Sequence, residues 1–511
     1  MIQANTKFTV QDLSSKLNAK LSLSAESADD LFATEISSSA SKKLSPPWVY
    51  VAIKGTKIDG HTFVTEAFEN GAAFAIVEDE NSLNGEFPGI IVDDSRVALS
   101  KAASLFYGDP SKDLLTIGIT GTNGKTTINW LTFHLLNKLG ISLSRIGTLG
   151  HVVGDDSGDL GLTTPDPINI QKLLKLTKDN GLKGSVLEVS SHSLSQHRVS
   201  DLSFDIALYT NLTRDHLDYH DTFNDYKEAK WKLFELLLKS EKKERAAIIN
   251  IDCEHGRDFA NRLKGKSINV ITYGRSPDAT ICTLDLSQDF SKSTITFRIN
   301  NQEYKVVSPF IGEHNAHNIA SVIAVTLFLK IDLKETIKEI ALLPSVPGRL
   351  QSVPLSDSFG VFVDYAHTPD ALENVLKTLR PLVKGKLITI FGCGGDRDKG
   401  KRPLMRQVAT MLSDKVFVTS DNPRTEDPQS IIADILNGST IDETKLLTSH
   451  PDRRETIAMA LKYISPGDIL LIAGKGHEEY QIIGSTKYPF SDAVEAMQVW
   501  KENMFKEEVP S

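Results

Sequence analysis

The stretch Gly121-Thr122-Asn123-Gly124-Lys125-Thr126-Thr127 sets two glycines, a lysine and paired threonines between an apolar run and a helical pattern. Backbone N–H groups freed at such a turn, together with the positive end of the helix dipole, can hold a polyphosphate. Lys125 then neutralises phosphate charge, and the Thr126 hydroxyl can ligate magnesium. The general phosphate-loop pattern asks for a glycine five positions before Gly124, where this chain has Ile119, so the loop is a compact variant. The plain alternative is a glycine turn that opens a helix beneath a solvated lysine.

These residues need elements to hold them. Leu114 to Thr120 reads as a buried strand that runs into the glycine turn, and Thr126 to Leu139 as the helix that follows. Strand-like runs return at Ser185 to Val189, Ile206 to Thr210 and Ala247 to Ile251 with helical stretches between them, the pattern of a mostly parallel sheet covered on both faces. Ahead of it, Val49 to Ile53 and Ala73 to Val77 alternate with helical stretches such as Ser95 to Tyr107, giving a small α/β domain that ends at the turn Gly108-Asp109-Pro110-Ser111. Ala279 to Val307 alternates in the β manner and predicts an antiparallel appendage. Leu343 to Gly348 holds two prolines and a glycine, after which a third series begins with Val361 to Asp364, Leu387 to Phe391, Lys415 to Thr419 and Ile469 to Ala473. The expected fold is α/β with three domains: 1–110 small and N-terminal, 111–346 central and of phosphate-loop type, and 347–511 doubly wound and Rossmann-like.

Composition bounds the class of partner. A chain of 511 residues exceeds what one hydrophobic core usually serves, and 40% hydrophobic with 24% charged residues is ordinary for a globular protein. A net charge of −9 gives no general attraction to nucleic acid or anionic membrane, so phosphate chemistry must be local. The three cysteines, Cys253, Cys282 and Cys393, lie far apart and suggest neither a disulfide framework nor a zinc site. The first residues hold no basic stretch followed by an apolar run, and no segment has the length of a membrane span, so a cytoplasmic location is expected.

With the loop go three further strings, Glu188-Val189-Ser190-Ser191-His192, TNLTRDHLDYH at 210–220 and Tyr226-Lys227-Glu228-Ala229-Lys230. GTNGKTT is the compact form found in Mur ligases and folylpolyglutamate synthases, and the set as a whole makes the chain resemble the Mur ligase family over nearly its whole length. That resemblance implies ATP and Mg2+ as cofactors, an acyl phosphate intermediate, and catalysis by Lys125, Glu188, His216 and Lys230. Magnesium would be met by Thr126, Glu188, His216 and Lys230, the last after carbamylation turns its amine into a carboxylate-like group. Taken singly, Glu188 and His216 read as ordinary polar pairing at strand ends, and Lys230 as a solvated helix face.

The resemblance extends to the substrates. Thr163, Thr164, Ser191, Gln196 and Arg198 fall in segments similar to those that meet the muramoyl dipeptide. Ser41 lies where the family has an Asp-Ser-Arg segment, but Ala40 and Lys42 replace its aspartate and arginine, so a bidentate arginine contact to the uridine nucleotide is not expected. Asn318, Arg349 and His367 resemble nucleotide contacts, and the basic run from Arg397 to Arg402 follows a strand and a glycine turn, where it can face an acyl phosphate. The octet Asp421-Asn422-Pro423-Arg424-Thr425-Glu426-Asp427-Pro428, with Gly474-Lys475-Gly476-His477-Glu478, is similar to the branch of the family that adds meso-diaminopimelate. An arginine that grips the distal carboxylate of that amino acid separates it from lysine, which has only an ammonium there. Arg424 and Arg397 suit that task, with Asp421, Asn422, Pro423 and Gly474 around it and Glu478 accepting from the distal ammonium.

The function so implied is ligation of meso-diaminopimelate to UDP-N-acetylmuramoyl-L-alanyl-D-glutamate in peptidoglycan precursor synthesis, by a monomer whose partners are small molecules, with no nucleic acid and no membrane. The alternatives are a lysine-adding ligase, a folylpolyglutamate synthase, and a module that uses the phosphate loop as a nucleotide switch without making an amide.

Overall fold

The computed structural model describes residues 7–22, 31–42, 44, 47–55, 58–216 and 218–507. Leu217, within the string at 210–220, and Lys43, Ser45 and Pro46, which follow Lys42, lie outside the described residues. The chain divides into two compact units, residues 1–282 with 320–336, and residues 283–319 with 337–511. No helix among the described residues is long and apolar enough to cross a membrane.

The first unit begins with a five-stranded sheet in the order Lys20–Ser22, Gly89–Ile91, Ala72–Val77, Trp48–Val51, Glu35–Ser37. All pairs are parallel except the first. Alternation explains why Trp48-Val49-Tyr50-Val51 is buried throughout: Val49 and Val51 join a core with Phe74, Ile76 and the helix Ser95–Phe106, while Trp48 and Tyr50 join another with Ala75 and Val77. Asp94 caps that helix by accepting from the N–H groups of Arg96 and Val97. The turn after it has left-handed backbone at Gly108 (φ 74°) and Asp109 (φ 49°), and Ser111 accepts from Ser203 N–H at 3.0 Å.

The larger sheet of this unit has at its middle Leu115–Thr120, flanked by Gly184–Glu188 on one side and Ile206–Tyr209 on the other, then Ala246–Asn250 and Asn269–Gly274. These strands are parallel, so their carboxyl ends form one edge. The register sets Glu188 beside Ile119 and Tyr209 beside Thr120, which places the loops that follow each strand side by side. Gly118 lets the centre close up, for a Cβ there would stand 2.7 Å from the Phe204 ring.

In the second unit the strands Ser293–Ile299 and Gln302–Ser308 pair antiparallel, as the β-type alternation predicts. Asn300 and Asn301 turn between them at φ 51° and 63°, the left-handed pair that a tight hairpin requires. The main sheet runs Gln351–Ser352, Gly360–Asp364, Ile469–Ala473, Leu387–Phe391, Lys415–Val418, Leu447–Ser449, parallel after its first pair. Helices cover both faces, Leu372, Met405 and Ile431 on one and Ile457, Ala460 and Ala496 on the other.

A wholly buried ion pair fastens this unit. Arg453 donates from Nε and Nη2 to the two carboxylate oxygens of Asp492, each at 2.7 Å, and both side chains are fully buried. The same guanidinium reaches the carbonyls of Ser420 at 3.2 Å and Ala473 at 3.0 Å, the residues that open the loops 421–424 and 474–478. Removing one partner leaves an uncompensated buried charge. Asp492→Ala is therefore expected to destabilise the second unit by about 3–5 kcal/mol, seen as a lower midpoint in thermal unfolding; an unchanged midpoint would refute the role given to the pair.

Candidate active site

The glycine loop joins the central strand to the helix Lys125–Lys138, with Gly124 as its left-handed cap residue at φ 89°. Gly121 sits at φ 144°, and a Cβ there would collide with the Thr210 hydroxyl. The loop is tied down by its neighbours. Thr122 N–H donates to Asn211 O at 2.9 Å, Asn123 N–H to Asn211 Oδ1 at 3.0 Å, and the Thr210 hydroxyl to Asn123 O at 2.6 Å. Thr122 and Tyr226 hydroxyls meet at 3.0 Å. Thr126 and Thr127 are buried in the first turn of the helix.

Two amines converge here. Lys125 Nζ donates to the carbonyls of Gly121 at 2.8 Å and Thr122 at 2.7 Å, and Lys230 Nζ donates to the same Gly121 oxygen at 2.8 Å. Lys230 is 1% exposed, so it is not the solvated residue of an isolated helix face. Its ammonium lies 4.2 Å from the centre of the Tyr226 ring. Burial, helped by the charge of Lys125 and opposed by Asp215, holds the Lys230 amine well below the ordinary lysine range.

Glu188 ends its strand at 1% exposure. Its carboxylate accepts from Thr126 Oγ1 at 2.9 Å, Thr148 N–H at 2.8 Å and Thr148 Oγ1 at 3.1 Å. Thr148 Oγ1 also lies 3.1 Å from Thr163 Oγ1, from which it can accept, and Thr164 donates to Glu188 O at 2.8 Å. The 163–164 turn is thereby fixed against the end of the strand. Arg198 reinforces it, donating to Thr164 O at 2.6 Å and to Gln196 Oε1 at 2.7 and 3.1 Å, while Gln196 donates to the Tyr219 hydroxyl at 3.2 Å.

A cavity of about 280 Å³ opens among Lys125, Thr163, Thr164, Ser191, His192, Arg198, His216 and Lys230. Glu188 lies behind it, linked through Thr126. His216 stands on the wall with left-handed backbone (φ 53°), its ring 4.9 Å from His192 and 5.9 Å from Tyr226. Burial pushes the His192 imidazole down to about 4 and lowers those of His216 and His220, so the cluster is neutral near pH 7. Among the described residues no group of three or more His, Cys, Asp or Glu side chains could hold a metal by itself. Magnesium does not need one, since it commonly takes one or two protein oxygens and completes its shell with phosphates and water. The buried hydroxyl and carboxylate of Thr126 and Glu188 are the hard donors that suit it.

In the second unit the loops after the parallel strands lie along one edge. Arg349 stacks 5.3 Å from the Tyr365 ring, and His367 lies 4.6 Å from that ring with Nδ1 at 2.8 Å from Tyr365 O. Asn318 donates to Asn315 Oδ1 at 2.9 Å. Arg397 is exposed, and its only described hydrogen bond goes to Asp396 O at 3.1 Å. Arg402, at the end of the basic run, is fully buried and tied to Glu426 at 2.9 and 3.0 Å and Asp434 at 2.7 Å. That correction has a simple cause: the helix Lys401–Leu412 turns Arg402 inward, so it braces the octet instead of facing a ligand.

Asp421, Asn422 and Pro423 are buried, and Arg424 has left-handed backbone (φ 52°), its guanidinium donating to Gly395 O at 2.8 Å. Gly474 stands against Asp421, whose Oδ2 a Cβ would approach to 2.6 Å. Glu478 accepts through Oε2 from Asn422 Nδ2 at 2.8 Å and from Lys475 Nζ at 3.0 Å. In the first unit Ser41 is exposed, its hydroxyl 3.4 Å from that of Ser39.

The sequence reading passed over Thr148 and Arg453, and gave no role to His192, Tyr226 and Lys475 although they lie in the quoted strings. Thr148 carried a local signal as the first polar residue after Arg145-Ile146-Gly147 at the end of a strand.

Family models match in chain order: the Mur ligase family catalytic domain at 36–107, the Mur ligase middle domain at 119–326, and the Mur ligase glutamate ligase domain at 348–476. The chain belongs to the Mur ligase family, the ATP-dependent amide-forming ligases. A UDP-N-acetylmuramoyl-L-alanyl-D-glutamate–2,6-diaminopimelate ligase of Aquifex aeolicus is 44% identical over 462 residues, 90% of this chain and 92% of that protein. The enzyme of the same name from Geobacter metallireducens is 38% identical over 487 residues, 90% and 93% of the two chains. A solved structure of a ligase with this name superposes with a TM-score of 0.73 at 31% identity, covering 98% of this chain and all of that one. MurF from Thermotoga maritima in complex with ADP shares the fold, with a TM-score of 0.60 at 21% identity over 93% of this chain.

Gly147 tests the arrangement around Glu188, because a Cβ there would strike the Glu188 carboxylate. Gly147→Ala should lower the ligation rate at least about tenfold, one displaced charge-assisted contact, with the thermal midpoint little changed. Full activity in that variant would show that Glu188 need not hold its place.

Proposed function

We propose that this chain joins meso-diaminopimelate to the D-glutamate of UDP-N-acetylmuramoyl-L-alanyl-D-glutamate, with ATP and Mg2+, in the cytoplasmic steps of peptidoglycan precursor synthesis. The reading includes a monomer that acts on small molecules, and three domains at 1–110, 111–346 and 347–511, the first meeting the uridine nucleotide near Ser41. One arrangement carries it: the glycine loop, the Thr126–Glu188 pair and the buried Lys230 amine meet at one sheet edge, beside a cavity lined by Thr163, Thr164, Ser191 and Arg198.

The chemistry follows from those groups. The γ-carboxylate of D-glutamate attacks the γ-phosphorus of ATP, forming an acyl phosphate and releasing ADP. The amine of diaminopimelate then attacks the acyl carbon; phosphate leaves and the amine loses a proton. Backbone N–H groups from Gly121 to Thr127 cradle the triphosphate, and Lys125 turns from the loop carbonyls to the transferring phosphoryl group. Thr126, Glu188, His216 and a carbamylated Lys230 would hold magnesium, which when bound screens the phosphate oxygens from the approaching carboxylate. Arg198 and the two threonines orient the dipeptide carboxylates, and Asn318, Arg349 and His367 flank the nucleotide. Asp421, Asn422, Pro423, Arg424, Arg397, Gly474 and Glu478 seat the distal head of diaminopimelate, arginine on its carboxylate and Glu478 on its ammonium. No protein nucleophile takes part in the transfer.

A panel of amino acids incubated with ATP, magnesium and the muramoyl dipeptide tests the substrate assignment by product mass. Diaminopimelate should be the amine incorporated, with phosphate release dependent on both the nucleotide sugar and the amino acid. Preference for lysine, or brisk phosphate release with neither substrate, would overturn it.

Lys230 gives a separate test. A neutral amine can attack carbon dioxide and lose a proton to become a carbamate, and burial, by holding the Lys230 amine well below the ordinary lysine range, favours its neutral form. Lys230→Ala should lose at least about a thousandfold in kcat, roughly 4 kcal/mol, and recover part of it when short carboxylic acids are added. Labelled bicarbonate should give a carbamate carbon signal in the native protein and none in the variant. A variant that keeps its activity, or is never rescued, would remove the carbamate from the scheme.

A further inference from the structure

Lys475 is the one lysine of the second unit's site loops that is fully buried, and the functional reading above gives it no task. Its ammonium reaches Glu478 Oε2 at 3.0 Å and Asn422 Oδ1 at 3.1 Å. Asn422 closes the triangle by donating from Nδ2 to the same Glu478 oxygen at 2.8 Å, and its Oδ1 also accepts from Ile482 N–H at 2.9 Å. Both described bonds of Glu478 thus fall on Oε2, which leaves Oε1 to meet a ligand. The Glu478 side chain is 18% exposed while Lys475 is wholly enclosed, so the carboxylate faces outward and the ammonium stands behind it.

Charge decides what such a pocket accepts. With Lys475 at its back, Glu478 is already compensated, and a side chain that brings a lone ammonium adds an unbalanced charge to a poorly hydrated site. A head that carries ammonium and carboxylate together adds no net charge, and its carboxylate finds Arg424. We infer that Lys475 is a positioning residue that fixes Glu478 and Asn422 and, by compensating the carboxylate, makes the amino-acid subsite select a zwitterionic side-chain head over a lone ammonium. The repulsive element in this specificity is the buried lysine, where Arg424 supplies the attractive one. The inference rests on the diaminopimelate reading.

The test compares wild type, Lys475→Met, Lys475→Arg and the double variant Lys475→Met/Glu478→Gln in the full ligation assay, with meso-diaminopimelate and L-lysine as competing amines. Wild-type preference for diaminopimelate is the control: its absence would fail the substrate reading itself, whatever the variants do. Given that preference, Lys475→Met should raise KM for diaminopimelate about ten- to a hundredfold, the size of a lost charge-assisted contact, with kcat for the residual reaction within about threefold of wild type. The ratio of kcat/KM for diaminopimelate over lysine should fall by at least tenfold, while Lys475→Arg keeps that ratio. In the double variant the gain in lysine use should vanish, because no bare carboxylate remains. Unchanged KM and selectivity in Lys475→Met, or equal losses for both amines, would overturn the inference. Should Lys475→Met not fold, the double variant, which buries no unpaired charge, is compared with Glu478→Gln alone. KM values for diaminopimelate within about twofold support action through Glu478, and a further tenfold rise refutes it.

Discussion

The carbonyl oxygen of Gly121 accepts from two lysines at once, and much of the first unit is arranged around that meeting. It occurs because the central strand ends at Thr120 and the next residue must turn sharply against Thr210, a geometry that only glycine reaches without collision. Lys125 arrives from the helix that the turn begins, and Lys230 from the helix Phe223–Lys239, beneath the Tyr226 ring. Two full positive charges on one acceptor in a buried place repel, and burial together with the charge of Lys125 pushes the enclosed Lys230 amine well below the ordinary lysine range. The lowered basicity of this amine is thus a product of packing, set by the same strand end that shapes the glycine loop.

The second unit treats buried cations in the opposite way. Arg402 has Glu426 and Asp434, Arg406 has Glu443, Arg453 has Asp492, and Lys475 has Glu478. Each such pair is costly to break and gives little net stability when intact, so its value lies in orientation. Arg402 braces the octet from one side, and Arg453 ties the carbonyls that open two loops. Where Lys230 has a carbonyl for its hydrogen-bond partner, these have carboxylates, so their charge is compensated while its own is not.

Much of this was legible in the amino-acid order. The strand expected at Leu114 to Thr120 is Leu115–Thr120, and those expected at Leu387 to Phe391 and Ile469 to Ala473 have those same limits, because continuous apolar runs bounded by turn residues leave few alternatives. The hairpin within 279–307 followed from alternation, whereas Glu188, which taken singly read as polar pairing at a strand end, was singled out by the family resemblance. What could not be read was the choice of partner across long separations. Thr148 and Glu188 lie 40 residues apart, Asn422 and Glu478 56, and Arg453 and Asp492 39. Glu478 read as a free acceptor and Arg402 as a phosphate ligand, because no local pattern says which charges a fold will neutralise internally. Lys230 was the reverse case: taken singly it read as a solvated helix face, the family resemblance alone gave it a place at the site, and it is buried.

The anchor of the amino-acid loops comes late in the chain. Asp492 opens the helix Asp492–Glu507, the last described element, yet its carboxylate holds the guanidinium that fixes the carbonyls at 420 and 473. A nascent polypeptide leaving the ribosome can therefore form its glycine loop before the loops after 420 and 473 are fixed, since domains emerging first generally fold first. Copies made only as far as those two loops would lack their tie, because the carboxylate that holds Arg453 follows both of them in the chain.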